Sequence, residues 1–132
     1  MYGCFNQSGC LMLLPGGAIP FDGTADASGI IQSGGELTLS RSGVYMVSLS
    51  ISIPECAALK TAFQIRLDGN SVSGGTVIID KGCASAPMHA GTQIALSAEA
   101  GAVLTVTSSA AVNLTTDGSS DPIAVLTVVK IG

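Results

Sequence analysis

The sequence predicts an all-β sandwich, and three observations carry that reading. Turn signals recur along the chain: Pro15-Gly16-Gly17, Asp22-Gly23, Ser33-Gly34-Gly35, Asp68-Gly69-Asn70, Ser73-Gly74-Gly75 and Asp117-Gly118. They fall roughly every ten residues, the spacing of sandwich and barrel strands. Short β-branched runs fill the intervals between them. Helical periodicity is missing, since no window of about a dozen residues sets apolar side chains at helical spacing against a polar face. The best helical candidate, Glu55–Lys60, makes only about one and a half turns.

The strands can be placed in order. Ala18–Phe21 is a first short strand and Glu36–Ser40 a second. Gly43–Ile53 is the longest and alternates clearly. Tyr45, Val47, Leu49, Ile51 and Ile53 share one face, and Met46, Ser48, Ser50 and Ser52 the other. Ala62–Leu67 sets Phe63, Ile65 and Leu67 against Gln64 and Arg66. A turn at Asp68-Gly69-Asn70 follows, then Thr76–Asp80. Thr92–Ala98 sets Ile94, Leu96 and Ala98 against Gln93, Ala95 and Ser97. Ala102–Ser108 comes next, and Pro122–Ile131 closes the chain. In that last strand Ile123, Val125, Thr127, Val129 and Ile131 form one face, and Ala124, Leu126, Val128 and Lys130 the other. Both faces are mostly apolar, so neither is expected to see bulk water. One face lies on the core and the other needs a partner outside the monomer. Residues 1–17 form an N-terminal segment, of which residues 1–14 have no clear place in the sheets, ahead of a single domain over residues 18–132.

Composition supports burial and excludes several functions. The chain has 132 residues, with 47% apolar residues, 11% charged residues and a net charge of −4. That length suffices for one domain with its own core, and disorder is excluded by the high hydrophobicity. Five Lys and Arg and a pI near 4.5 cannot build a nucleic-acid-binding face. No apolar run is long enough for a membrane span. Cys10–Pro15 is apolar but short, with no preceding cation and no following cleavage site, so it is not read as a signal peptide. A mean hydropathy of +0.57 in so weakly charged a chain suggests that part of its surface is covered by copies of itself.

The order of motifs carries a resemblance. Ile19-Pro20-Phe21, Gly35-Glu36-Leu37-Thr38-Leu39 and Ser42-Gly43-Val44-Tyr45-Met46-Val47-Ser48 resemble the C-terminal jelly-roll heads of bacterial collagen-like and exosporium surface glycoproteins. Those heads are similar to the complement component 1q and tumour necrosis factor fold. Gly43-Val44-Tyr45 matches the family's Gly-x-Tyr opening of a central strand, Leu67-Asp68-Gly69 its hairpin, Ile94–Gly101 its long strand ending in Ala-Gly, and Lys130-Ile131-Gly132 its terminal strand. The resemblance covers residues 18–132 and implies a jelly-roll β-sandwich of about 8–10 antiparallel strands, forming a compact homotrimer. In the family the terminal and Gly-x-Tyr strands face the three-fold axis. Tyr45, Met46, Ser48, Ser50, Ala124, Leu126 and Val128 are therefore the expected trimer interface. The family's collagen stalk is not present in these residues.

Other chemistry is weakly represented. Cys4, Cys10, Cys56 and Cys83 allow three pairings. In an up-and-down sandwich the loops carrying Cys56 and Cys83 fall at one end, which makes Cys56–Cys83 a reasonable bridge and leaves Cys4–Cys10 for the other end. Four free thiols are the alternative. No spacing suits zinc. His89 is the sole histidine and lacks a nucleophile elbow, so a loop or interface role is expected. Asp22, Asp26, Asp117 and Asp121 are candidates for calcium, although turn chemistry explains them without an ion. Glu36, Glu55 and Glu99 are isolated, and no carboxylate pair can be named. Asn6-Gln7-Ser8 and Asn113-Leu114-Thr115 match the glycosylation pattern, as chance allows in a Ser/Thr-rich chain.

The expected function is non-enzymatic and without a cofactor. The chain is read as the trimerising head of a bacterial surface or spore-coat filament, outside the cell, acting in assembly and adhesion. Its loops would be free for a protein or glycan ligand. A phage tail-fibre or virion β-head is one alternative, and a lectin-like or receptor-ligand module is another.

Overall fold

A computed structural model describes residues 2–7, 11–21, 23–54, 57–82, 86–114 and 123–132. Twelve strands lie among them, and no helix. The first five are β1 (Tyr2–Gln7), β2 (Leu11–Leu13), β3 (Gly23–Ser28), β4 (Ile30–Ser33) and β5 (Glu36–Leu39). Then come β6 (Gly43–Ile53), β7 (Leu59–Leu67), β8 (Asn70–Lys81) and β9 (Met88–Ala98). The last three are β10 (Val103–Ser108), β11 (Val112–Leu114) and β12 (Ala124–Lys130). Two five-stranded sheets run β3-β1-β12-β6-β9 and β4-β5-β10-β7-β8, and β2 pairs with β11 in a small third sheet. Every pairing is antiparallel.

Local chemistry fixes the register. Leu67 faces Asn70 across a two-residue turn, with Asp68 at φ 52° and Gly69 at φ 84°. Two left-handed residues match the natural strand twist, which is why Asp-Gly suits this turn. Further along the same pair, the register slips between Gln64 and Arg66, and Val72–Gly75 bulge out of β8. Beyond the bulge, from Gly75 to Lys81, β8 alternates buried and exposed residues, while Asn70–Gly74 are exposed apart from the partly buried Val72.

The core lies between the two large sheets. The aliphatic face of β6 (Tyr45, Val47, Leu49, Ile51 and Ile53) is buried throughout. It belongs to one cluster with Leu37 and Leu39 of β5, Phe63 and Ile65 of β7, and Leu104 and Val106 of β10. Burying such side chains contributes about 1.5–3 kcal/mol each, before the cost of ordering them.

Three expectations differ from the structure. Ala18–Phe21 is no strand. Ala18 makes one isolated bridge to Thr107, and Ile19 N donates to Val106 O. Pro20 has no N–H to continue a ladder, and Phe21 turns to φ 46°, which ends the extended run while Ile19 and Phe21 still reach the core. The helical candidate at Glu55–Lys60 also fails over its described part, because Leu59 and Lys60 already pair with Lys81 and Asp80 in β7. The N-terminal segment is the third. Its β1 lies inside the first sheet, between β3 and β12, with Phe5 opposite Leu126 and fully in the core.

Candidate assembly face

Registers place each residue on the outer face of the first sheet, the face turned away from the core. Val129 lies between Tyr2 of β1 and Met46 of β6, and Met46 faces Ala95 of β9. The next row is Cys4, Thr127, Ser48 and Gln93, and the next is Asn6, Val125, Ser50 and Gly91. Ser52 faces His89 at the far end.

This placement corrects part of the expected interface. Met46, Ser48 and Ser50 stand on the outer face. Tyr45, Ala124, Leu126 and Val128 do not, since each is 0% exposed within the monomer. A strand with two apolar faces leaves the direction of each face open, and pairing decides it. Leu126 sits opposite Leu49, whose side points to the core, so its neighbours Val125, Thr127 and Val129 take the outer face. Tyr45 is a core anchor whose hydroxyl donates to the Arg41 carbonyl oxygen. Tyr2, Cys4 and Asn6 join the outer face although no strand was expected there. Their apolar and polar types do not alternate, so no periodic signal marked them.

Charge divides the two sheets. Strands β1, β6, β9 and β12 contain one charged residue, Lys130, and its Nζ donates to Gly132 O at 2.8 Å. The second sheet carries Glu36, Lys60, Arg66, Asp80 and Lys81. Arg66 lies across that sheet, with Nε donating to Thr107 Oγ1 at 2.9 Å, Nη1 to Gly69 O at 3.1 Å and Nη2 to Gln64 Oε1 at 2.7 Å. Four strands of the first sheet are therefore poor in charge, its edge strand β3 carries Asp26, and the second sheet is dressed for water.

Two sequence motifs meet at one end of this face. Ile131 N donates to Val44 O at 2.8 Å, and Val44 N donates to Gly132 O at 3.2 Å. A β-carbon on Gly43 would stand 2.4 Å from Gly132 O and 2.7 Å from Lys130 Cε, so only glycine fits beneath the end of β12. Beside it lies a shallow hollow of about 310 Å³, lined by Ser42, Gly43, Val44, Ser97, Ala98 and Glu99.

The remaining candidates take the following places. Ser52 Oγ and His89 Nδ1 are 2.9 Å apart on an exposed part of the sheet. These are two members of a possible triad, but no carboxylate among the described residues bonds the ring, and the pair stands on an open strand surface with no cleft. Cys4 is a free thiol, and the other half of the expected Cys4–Cys10 bridge lies outside the described residues. Cys4 stands mid-strand with Thr127 Oγ1 4.0 Å from its sulfur. Cys10, Cys56 and Cys83 lie outside the described residues, as do Asp22, Asp117 and Asp121. Asp26 is placed by its backbone alone, opposite Cys4. Among the described residues no cluster of His, Cys, Asp and Glu could hold a metal, and no helix is long and apolar enough to cross a membrane.

Comparison with known proteins speaks to this architecture. No family model and no curated protein matches the sequence. Solved structures do. Eiger TNF from S. frugiperda superposes with a TM-score of 0.74 at 14% identity, over 100% of this chain and 92% of that one. The globular domain of zebrafish complement 1qA protein gives 0.73 at 11% identity, over 99% and 97%. Murine APRIL at pH 5.0 gives 0.72 at 10% identity, over 98% of each chain. The fold is the jelly roll of the tumour necrosis factor and complement 1q domains. At these identities the likeness concerns the fold, and nearly the whole chain takes part in it.

Proposed function

We propose that the chain is a non-enzymatic trimerising head. Three copies pack the outer faces of their first sheets around a three-fold axis, and the loops stay outside to meet a protein or glycan ligand. The observation that carries this reading is the division of charge between the sheets. A broad face of Thr, Ser, Val and Met, whose strands β1, β6, β9 and β12 hold only Lys130 as a charged residue and whose edge strand β3 adds Asp26, loses little on leaving water. The jelly-roll fold agrees with it. The setting is an extracellular filament of the bacterial surface or spore coat, acting in adhesion. That part rests on the order of Gly43-Val44-Tyr45, Leu67-Asp68-Gly69, Ala100-Gly101 and Lys130-Ile131-Gly132, which resembles exosporium heads.

Light scattering on the purified chain tests the assembly. The expected mass is three times the 13.1 kDa of one chain. A single species of one chain's mass would sink the reading. Antibodies raised against the folded head should label intact cells or spores without permeabilisation, and labelling only after lysis would remove the surface role.

A further inference from the structure

The direction of the backbone groups along β9 follows from its neighbours. Ser52 N donates to Ile123 O at 2.7 Å and Ile131 N to Val44 O at 2.8 Å, so the even-numbered residues of β6 turn their backbone groups to β12. The odd-numbered ones then bond β9, where Ala90, Thr92, Ile94 and Leu96 lie opposite Ile51, Leu49, Val47 and Tyr45. His89, Gly91, Gln93, Ala95 and Ser97 therefore turn their N–H and C=O groups out of the sheet. β9 is an edge strand, these residues are all exposed, and their backbone groups have no backbone partner among the described residues. The other edges of the two large sheets are guarded. β4 has four residues, β3 carries Asp26 and a register shift against β1, and β8 has Asp80, Lys81 and its bulge. From Met88 to Ala98, β9 has no Asp, Glu, Lys, Arg or Pro, and its pairing with β6 runs without a shift. Such an edge is a template for another strand. Its inward side is also incompletely covered. Met88, Ala90 and Thr92 are half-buried, whereas Ile53, Ile51 and Leu49 opposite them are buried.

We propose that β9 is a docking edge for an extended peptide segment of another protein, which adds to the five-stranded first sheet as a further strand. This goes beyond the assembly of copies, because the edge lies in the plane of the sheet and not on its outer face. A row of outward backbone donors and acceptors is matched by the backbone of another strand, so main-chain bonds supply affinity and alternate side chains supply choice. The partner segment is neutral, since β9 offers no ion to pair, and it has no proline where it bonds. It is apolar on the side that covers Met88, Ala90 and Thr92, and polar on the side beside His89, Gln93 and Ser97. A second copy fits less well than a single segment. The bulge of β8 stands against β9, with Thr92 Oγ1 donating to Gly74 O at 2.6 Å and a β-carbon on Gly74 falling 3.4 Å from Ile94 Cγ2. Two-fold pairing of β9 about Gln93 would bring two such bulges together, whereas a peptide brings none.

Amide hydrogen exchange followed by NMR provides the test, with a synthetic heptapeptide of alternating valine and threonine, acetylated and amidated, as the probe. Without peptide, the amides of Gln93, Ala95 and Ser97 should exchange roughly a hundredfold faster than those of Ile94 and Leu96. Saturating peptide should slow them by roughly tenfold or more, and the fully N-methylated peptide, which has no donor, should leave them unchanged. Ala95→Pro removes one outward donor and none of the bonds to β6, so it should weaken peptide binding roughly tenfold or more while circular dichroism stays that of wild type. Should Ala95→Pro lose the β-sheet spectrum, Ser97→Pro, nearer the end of the strand, answers the same question. Ile78→Pro, on the edge of β8, should leave binding unchanged. Amides already slow without peptide would mean that another copy covers the edge, and would overturn the proposal. So would amides that the peptide leaves fast, equal slowing by the N-methylated peptide, or equal loss of binding from Ile78→Pro. The mass in solution enters none of these outcomes, so the trimeric reading is judged separately.

Discussion

Gly43 shows how one missing side chain joins two distant segments. Its φ is 155°, and any β-carbon would meet the Gly132 oxygen. Gly43→Ala should therefore destabilise by roughly 2 kcal/mol, combining backbone strain with displacement of the chain end. Urea unfolding should show a lower midpoint at unchanged slope. A midpoint equal to wild type would mean that the Gly132 contact contributes nothing. Gly69→Ala is the informative contrast. There the added carbon meets open space, so only the left-handed backbone at φ 84° opposes it, and a loss nearer 1 kcal/mol is expected. The motif pair Gly43-Val44-Tyr45 and Lys130-Ile131-Gly132 was readable in the sequence as an ordered resemblance. That the two form one contact was not, because nothing in a local window says which chain end crosses which strand.

The strands differ in how legible they were, for physical reasons. Gly43–Ile53 matches β6 from end to end, because one face is aliphatic and the other largely serine. The hairpin at Asp68-Gly69 was equally plain, since its residues tolerate the required backbone. By contrast, β1 was missed. Its inner face is Gly3, Phe5 and Gln7, and its outer face is Tyr2, Cys4 and Asn6, so polar and apolar types fall on both. In β4 both isoleucines are apolar, yet Ile30 is 8% exposed and Ile31 64%. For β12 the strand was found and its faces were reversed, for want of the pairing with β6. One expectation about elements gains support from its flanks. Lys81 Nζ donates to Ala57 O at 2.7 Å and to Gly82 O at 3.2 Å. These residues adjoin Cys56 and Cys83 in sequence, so the proposed Cys56–Cys83 bridge would join two segments already held by one ammonium. Peptide mapping under non-reducing conditions should recover these two cysteines linked. Recovery of both as alkylated thiols from oxidised protein would remove the bridge.

For the molecule as a whole, charge gathers on the second sheet, and the first holds only Lys130 and, on its edge strand β3, Asp26. Composition revealed the shortage of charge but not its location, since location depends on which strands become neighbours. The sorting makes a prediction about the charged side. Ile31 and Ile78 are 64% and 73% exposed, on strands β4 and β8 at the two edges of the second sheet. If assembly uses the first sheet, Ile31→Lys and Ile78→Lys should each leave the mass in solution unchanged and shift stability by no more than about 0.5 kcal/mol. Dissociation by either would place an interface on the wrong sheet. Exposed apolar residues taken singly are ordinary. It is the contiguous set around Val129 that separates the two sides.

The pairing of Tyr2 with Val129 has a practical consequence for anyone who handles this protein. Both ends of the described chain emerge at the same pole of the sandwich, and that pole also holds the apolar end of the first sheet. A purification tag or fluorescent fusion at either end would crowd the same surface, so mass measurements call for a cleavable tag. If three copies assemble as proposed, cargo appended there would be gathered three at a time at one pole, while the pole bearing Ser52 and His89 would point the other way.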